Sequence, residues 1–540
     1  MSKERAKSKT TQNNEIYVKN SVLPSELFQK YLEQELPESF KEIIGNPEEE
    51  KFIKKLGENV KYLKFLEGTS YAFTSKGLEN SKLENPKISD VLIIPLKERN
   101  LIGAESTKSN LEIMAIISPS GEVLSPIVRT TEDIENGKWM TDPIWWKKII
   151  NEIPFQKNAQ VNCIKELMKD IPVEVVYLFN GHTSKNNKRI YVHPGGAIGT
   201  DELVKVDLGD AELNRLCLTK REFDLKECCP LKFLEVASLK IALLILALTY
   251  KAVFSSIFEE LGITTNFLTV VTGSKNTEKL NLVFGACNTF GNFDANHIPI
   301  KLTDSESKIK EKVTKCRDML LPCTGYIASS NRAESNLIAK SFETLIRINE
   351  TNGAKATLVI VADKIPDVFE SYRTSLLMIN VKDEDINKKE LKQVLEHQEE
   401  WQYFMKKFLE NLCTNYEGIK IEVLEIFKSK VNEIKEDVQL GTAEAIAELY
   451  VGYAMLIDFA FKNKIVAVNE KEKMLKEGWN SLVEIGKEQG AIIEETSPKE
   501  MTVKTIETLD SMGKITTFDL ACAEFCSRKE IVADGFIRLL

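Results

Sequence analysis

Residues 266–282 read NFLTVVTGSKNTEKLNL, and the fold of the central part of the chain can be predicted from them. The apolar run from Phe267 to Val271 is followed by Gly273, by polar residues and by Lys279, after which apolar residues return at helical spacing. A strand, a glycine-led loop and a helix in this order are the parts of a phosphate-binding loop. The pattern fits a working loop, a loop that has lost its chemistry, or an ordinary turn before a helix.

The loop lacks two of the groups that phosphate binding requires. Glu278 stands where a second glycine is needed, and its carboxylate at ~5 Å from a phosphate, in an effective dielectric of ~20, costs about 3 kcal/mol. Leu280 replaces the hydroxyl residue that would follow Lys279 and bind Mg²⁺. The next strand candidate, Met319 to Pro322, is followed by Cys-Thr-Gly-Tyr without a carboxylate. The sequence therefore favours a decayed phosphate loop.

Composition limits the class of protein. At 540 residues, with 43% hydrophobic and 28% charged residues, the chain is globular and too long for a single core. A net charge of −9 argues against a wholly basic nucleic-acid coat protein, although a local basic strip could still bind a phosphate backbone. The ten cysteines contain no CxxC pair, which predicts free thiols in the cytoplasm. Cys522 and Cys526 lack further ligands nearby, so no metal site is predicted.

One segment has the hydropathy of a membrane helix but not the length. The residues from Ile241 to Tyr250 read IALLILALTY and are bracketed by Lys240 and Lys251. Ten helical residues span about half of a ~30 Å hydrocarbon layer, so we expect a buried core helix and no membrane partner. The N-terminal residues lack the apolar region of a signal peptide.

Two smaller features are interpreted as structural. His182 and His193 lie near loop glycines without a carboxylate or cysteine at ligand spacing, and we predict surface loop histidines. Trp145 and Trp146 follow Pro143, and we predict buried anchors rather than a platform for stacking bases.

From about residue 175 to the C-terminus, the order of elements resembles the MCM-like AAA+ helicases of bacterial mobile genetic elements and prophages. The resemblance rests on a strand pair with a polar turn, a long apolar helix, the loop at Gly273, a helix and strand ending at Asp363, and a segment around Arg373. In the sequence these are VYLFNGHTSKNNKRIYVHPGG, ASLKIALLILALTYKAVF, TGSKNTEKL, LIRINETNGAKATLVIVAD and ESYRTSLLMINV. Residues 1–160 do not match the family.

The resemblance implies an α/β fold with an AAA+-like P-loop NTPase core, an α+β N-terminal domain and a helical C-terminal region. The implied segments are a disordered basic tail (1–14), the α+β domain (15–160), a small β-rich domain (161–232), the core (233–420) and the helical lid and C-terminal region (421–540).

The resemblance also assigns expected roles to four residues. Gly273 and Lys279 are vestigial nucleotide-binding residues, Asp363 ends the sensor strand, and Arg373 is the arginine near a neighbouring subunit's nucleotide. Because the loop and the acidic motif have both drifted, we expect no catalytic residue, no metal and no cofactor, with ATP and Mg²⁺ as the alternative. The expected partners are other subunits, in a homo- or hetero-oligomer, and DNA.

The expected function is a non-catalytic, helicase-like subunit or scaffold in replication or maintenance of a mobile genetic element. One alternative is an active DNA-dependent ATPase or helicase that uses Lys279 and unorthodox metal ligands. Another alternative is a regulatory or defence protein that uses the same fold for binding.

Overall fold

The computed structural model describes residues 46–104, 106–143, 145, 156–263, 267–275, 277–326, 332–351, 355–363, 372 and 375–495. The chain divides into two compact units, Met1–Leu101 with Thr107–Val175, and Ile102–Ser106 with Val176–Leu540. Every cysteine in the described part of the chain is a free thiol, and Cys522 and Cys526 lie outside that part.

The first unit is an α+β structure with two small apolar cores. Its helices are α1 (Pro47–Leu56), α2 (Thr131–Glu135) and α3 (Lys157–Leu167), with 3₁₀ turns at Gly57–Leu66, Lys138–Thr141 and Met168–Asp170. Strands β1 (Tyr71–Thr74), β2 (Gly77–Asn80) and β3 (Lys87–Ser89) form an antiparallel sheet. Strands β4 (Val91–Ile102), β5 (Thr107–Ile117) and β6 (Glu122–Thr130) are successive neighbours, with β5 and β6 antiparallel.

Trp145 is fully buried in this unit, and its indole nitrogen donates to the Ser125 carbonyl at 2.9 Å. The ring packs edge-on against Trp139, with ring centroids 6.2 Å apart. The prediction of a buried anchor is therefore confirmed for Trp145, whereas Trp146 lies outside the described residues.

The second unit begins with short strands. The last two residues of β7 (Val173–Tyr177) pair in parallel with β11 (Lys205–Val206). Strands β8 (Gly181–Lys185), β9 (Lys188–His193) and β10 (Gly196–Ile198) form an antiparallel sheet. The β8–β9 turn places Asn186 and Asn187 at positive φ, a conformation that asparagine tolerates better than most residues.

The two histidines of this sheet are buried strand residues, so the prediction of surface loop histidines is wrong. His182 is 4% exposed, and its ring packs edge-on against Tyr191 and Tyr416 with ring centroids at 5.1 and 6.1 Å. His193 is 8% exposed, and its Nδ1 accepts from the Gly195 N–H at 3.1 Å. Burial lowers the pKa of His182 and lowers that of His193 to about 4, so both rings are neutral near pH 7.

The centre of the second unit is a five-stranded parallel sheet between helices. Its strands are β12 (Leu268–Thr272), β13 (Ile300–Lys301), β14 (Arg317–Tyr326), β15 (Lys355–Ala362) and β16 (Leu376–Asn380), in the spatial order β13-β14-β15-β12-β16. Helices α4 (Leu239–Ala252) and α5 (Ser255–Glu260) precede β12, and the described helices between successive strands are α6 (Lys279–Cys287), α7 (Glu306–Lys315) and α8 (Arg332–Glu350). Strands β12 and β15 are buried along almost their whole length, as the apolar runs in the sequence predict for a sheet packed between helices.

Strand β12 is the first strand of this sheet in the chain, yet it lies between the fourth and the fifth. The chain therefore leaves β12 toward one side of the sheet and later returns to its other side. In open α/β sheets, ligands bind outside the carboxyl ends of the strands at such a reversal of strand order. The loop after β12 occupies that location.

A bundle of helices completes the second unit: α9 (Lys388–Glu396), α10 (Gln398–Thr414), α11 (Tyr416–Ile434), α12 (Leu440–Lys462) and α13 (Val468–Glu495). Helix α12 is long and apolar enough to cross a membrane, but 83% of its apolar window is buried against protein. Helices α12 and α4 pack so closely that a Cβ added at Gly452 would lie 2.3 Å from the backbone nitrogen of Lys251. The residues from Ile241 to Tyr250 are all buried, so the predicted core helix is confirmed.

Gln489 of α13 closes the outer edge of the sheet at β16. Its side-chain oxygen accepts from the Met378 N–H at 3.1 Å, and its amide nitrogen donates to the Leu376 carbonyl at 2.9 Å. The side chain is 3% exposed and takes the place of a neighbouring strand. An edge strand would otherwise present these backbone groups for pairing with another chain.

We predict that Gln489→Ala opens this edge. Each buried backbone group left unpaired costs about 1–3 kcal/mol, so amide exchange in the peptide that contains β16 should be at least about fivefold faster, measured by hydrogen–deuterium exchange. Glu488→Ala is the matched control, because Glu488 is an exposed residue of the same helix that pairs with Lys240 at the surface. Equal protection of β16 in Gln489→Ala and Glu488→Ala would contradict the prediction.

Candidate functional site

The candidate site is the loop between β12 and α6, at the carboxyl edge of the parallel sheet. Gly273 opens this loop at a point of very close packing, since a Cβ there would lie 2.4 Å from the Val381 carbonyl oxygen. Val381 follows β16, and its N–H donates to the Thr272 carbonyl at 2.8 Å. Glycine is therefore required here by the neighbouring segment of this chain, whether or not a ligand binds.

The Ser274 carbonyl fills the inside of the loop. It accepts from the Thr277 N–H at 3.1 Å, from the Thr277 hydroxyl and from the Lys279 ammonium at 2.8 Å. A phosphate-binding loop instead directs its N–H groups inward, so that they surround the anion. An inward-facing carbonyl presents a partial negative charge at that place. Among the described residues of the loop, Thr277 and Lys279 therefore direct their donors to the Ser274 carbonyl.

Lys279 is the first residue of α6 and is 4% exposed. Its ammonium donates to Asp363 Oδ1 at 2.8 Å, in addition to the Ser274 carbonyl. Asp363 follows β15, whose register with β12 pairs Thr272 with Ala362 and so places the two strand ends side by side. The Asp363 side chain is 23% exposed, which leaves the ion pair mostly, but not completely, shielded from solvent.

The structure thus brings together three of the four residues named from the sequence: Gly273, Lys279 and Asp363. Arg373 lies outside the described residues. What the sequence did not indicate is that Asp363 bonds directly to Lys279. The only signal in the sequence was the position of Asp363 at the end of an apolar strand. Its partner could not be predicted, because the partner depends on which strands are neighbours in the sheet.

Glu278 and Leu280, the two residues that depart from a phosphate loop, have local roles in α6. Glu278 Oε2 accepts from the Asn281 side-chain amide at 2.6 Å, within the first turn of the helix. Leu280 is partly buried and packs against the main apolar core of the second unit. Both side chains therefore contribute to the start of the helix.

The carboxyl end of β14 offers no acidic group. The residues from Met319 to Tyr326 contain no Asp or Glu, and Cys323 is fully buried with its pKa raised by burial. The nearest carboxylate on this strand is Asp318, at the opposite end and fully buried. Strand β14 therefore supplies no carboxylate ligand for Mg²⁺ at the edge where the loop lies.

Asp318 instead joins three elements at the amino edge of the sheet. It accepts from the His182 N–H at 2.9 Å and from both the N–H and the hydroxyl of Ser256 at 2.7 Å. Gly181 passes so close that a Cβ there would lie 2.9 Å from Asp318 Oδ2. These contacts connect β8, α5 and β14, so Asp318 has a structural role.

In the part of the chain that the structure describes, no group of three or more His, Cys, Asp or Glu side chains could hold a metal ion. Asp363 is the carboxylate beside the loop lysine, and it is already paired. A free phosphate could still contact Lys279, the loop amides and the Thr277 hydroxyl, provided that the loop opens.

Comparisons with known proteins show the fold of the chain. No protein-family model and no curated protein matches the sequence. The chain is similar to a solved structure titled "SCCmec type IV Cch - active helicase", with a TM-score of 0.53, 12% identity and coverage of 83% of this chain and 84% of that one. A second structure, of the "NrS-1 C terminal region", has a TM-score of 0.19 and 6% identity over 70% of this chain and 85% of that one, too low to support an argument. The fold is therefore helicase-like.

We predict that Lys279 and Asp363 contribute jointly to stability. Lys279→Ala and Asp363→Ala should each lower the free energy of unfolding by about 1–3 kcal/mol, because each leaves a partly buried charge without its partner. The double variant should lose less than the sum of the two, since the second change removes the orphaned charge. Urea denaturation of the four proteins measures this coupling.

Lys275→Ala is the control for this cycle, because Lys275 is an exposed lysine of the same loop. It should change the free energy of unfolding by less than about 0.5 kcal/mol. The prediction is wrong if Lys279→Ala lowers the free energy of unfolding no more than Lys275→Ala does. It is also wrong if the losses from Lys279→Ala and Asp363→Ala simply add in the double variant.

Proposed function

We propose that this chain is a non-catalytic, helicase-like subunit or scaffold that acts in replication or maintenance of the DNA of a mobile genetic element. It works in the cytoplasm as part of a homo- or hetero-oligomer, with DNA as a partner. The observation that carries the proposal is that Lys279 donates to the Ser274 carbonyl and to Asp363 at the edge of the sheet where a nucleotide would bind.

The helicase-like fold can persist without the reaction, because packing and chemistry depend on different residues. The fold requires the apolar strands, the helices that cover them and the glycine beside Val381. Hydrolysis requires a lysine free to contact phosphates, a bound Mg²⁺ and a carboxylate that orients water. The described residues supply the first set, while the lysine of the loop is paired with Asp363, which supports a role that uses the surfaces of the fold.

The net charge of the chain is −9, so any contact with DNA must be confined to a local basic region of the surface. Binding of that kind neutralises a few phosphates with lysine or arginine and weakens as salt concentration rises. The proposed scaffold therefore binds single-stranded DNA in a salt-dependent manner without hydrolysing ATP.

One alternative function has an observation in its favour. Asp363 is a carboxylate at the carboxyl edge and lies 2.8 Å from the lysine of the loop. If it released Lys279 and bound Mg²⁺, it could replace the carboxylate that β14 lacks, and the chain would be an ATPase with unusual ligands. Measurement of ATP turnover separates the two functions.

We predict that ATP turnover stays below about 1 s⁻¹, the low end of typical enzyme rates, with and without single-stranded DNA. Lys279→Ala should leave the trace rate unchanged, because the lysine does not take part in a reaction. Faster turnover that DNA stimulates and that Lys279→Ala abolishes would instead establish the ATPase. Light scattering during gel filtration should show a mass above 61.2 kDa that ATP does not change.

A further inference from the structure

Lys279 has a strong anion partner within the protein itself. An ammonium group has three donors, and two of those on Lys279 are used at 2.8 Å by Asp363 Oδ1 and the Ser274 carbonyl. Bonds of this type between charged groups are roughly twice as strong as neutral ones. Because Lys279 is 4% exposed, water competes little for the remaining donor.

We propose that Asp363 is an internal competitor for a phosphate anion, so that removal of its negative charge makes the loop a binding site for inorganic triphosphate and nucleoside triphosphates. This inference rests on the proposed function, because it assumes that the loop is a former phosphate loop whose lysine is now bonded to the protein itself. Asp363 follows β15 beside the end of β12, at the edge where ligands bind in open α/β sheets, and its carboxylate is 2.8 Å from the Lys279 ammonium.

Two features distinguish Asp363 from Glu278, the other acidic residue of the site. Glu278 bonds to Asn281 within its own helix turn, whereas Asp363 bonds to the loop lysine itself. Asp363 also lies on a different strand from the loop, so its displacement does not require α6 to unwind. The carboxylate therefore blocks Lys279 directly, while Glu278 only adds repulsion from the edge of the loop.

Asp363→Asn is the most conservative test, because the amide keeps the size of the side chain and its oxygen can still accept from Lys279. The variant removes the competing charge and the repulsion between that charge and a phosphate. We expect inorganic triphosphate and a fluorescent ATP analogue both to bind at least about tenfold more tightly than to the wild-type chain. Titration calorimetry for the first ligand and fluorescence titration for the second measure the affinities.

Asp458→Asn is the matched control. Asp458 is a partly buried aspartate that pairs with Lys462 and Lys471 on the helical bundle, away from the loop. Its replacement should leave both affinities unchanged. In Lys279→Ala with Asp363→Asn, the gain should disappear, because the lysine is the group that the anion reaches. Asp363→Ser serves the same purpose as Asp363→Asn if the amide variant does not fold.

A repaired loop separates this inference from the proposed function. Glu278→Gly with Leu280→Thr restores a glycine and a hydroxyl, and should also bind triphosphate more tightly if the loop is a former phosphate site. If the repaired loop gains affinity and Asp363→Asn does not, the role of Asp363 is wrong and the proposed function stands. If neither variant gains affinity, the loop is not a former phosphate site, so the inference about Asp363 is wrong and the proposed function loses the observation that carries it. A gain with the ATP analogue but not with inorganic triphosphate would also overturn the inference, because the nucleoside would then bind elsewhere.

Discussion

The position of β12 between β15 and β16 is the constraint on which the second unit depends. A parallel strand in the middle of a sheet must bond on both edges and be covered on both faces, so its residues are apolar and its connections are helices. The same position makes the ends of β12, β15 and β16 neighbours, which brings Gly273, Asp363 and Val381 into one small region. The candidate site is a direct result of strand order.

A residue that is typical of a phosphate loop can be present because packing requires it or because phosphate binding requires it. Gly273 is needed because the Val381 carbonyl leaves no room for a Cβ, and Lys279 joins the loop to the end of the next strand. Both residues would be retained by packing in a chain that never met a nucleotide. Their presence in a sequence therefore indicates the fold more reliably than it indicates the chemistry.

The sequence predicted the features that depend on local pattern. The strand from Leu268, the buried helix around Ile241 and the α/β sheet follow from apolar runs and their spacing. The contacts that define the site could not be predicted, because Lys279 and Asp363 are 84 residues apart and meet only through sheet order. The burial of His182 could not be predicted for the same reason, because the polar residues around it in the sequence do not indicate that Tyr191 and Tyr416 pack on its ring.

Gln489 covers the free edge of β16, but it is synthesised after that strand. Met378 emerges from the ribosome 111 residues before the side chain that covers it. At roughly 5–20 residues per second, the outer edge of the parallel sheet waits about 6–22 seconds for its cover during translation. During that interval, a nascent chain carries an apolar strand with unpaired backbone groups. Slow translation of the helical region would lengthen this exposure, so the yield of folded protein depends on how fast α13 is made.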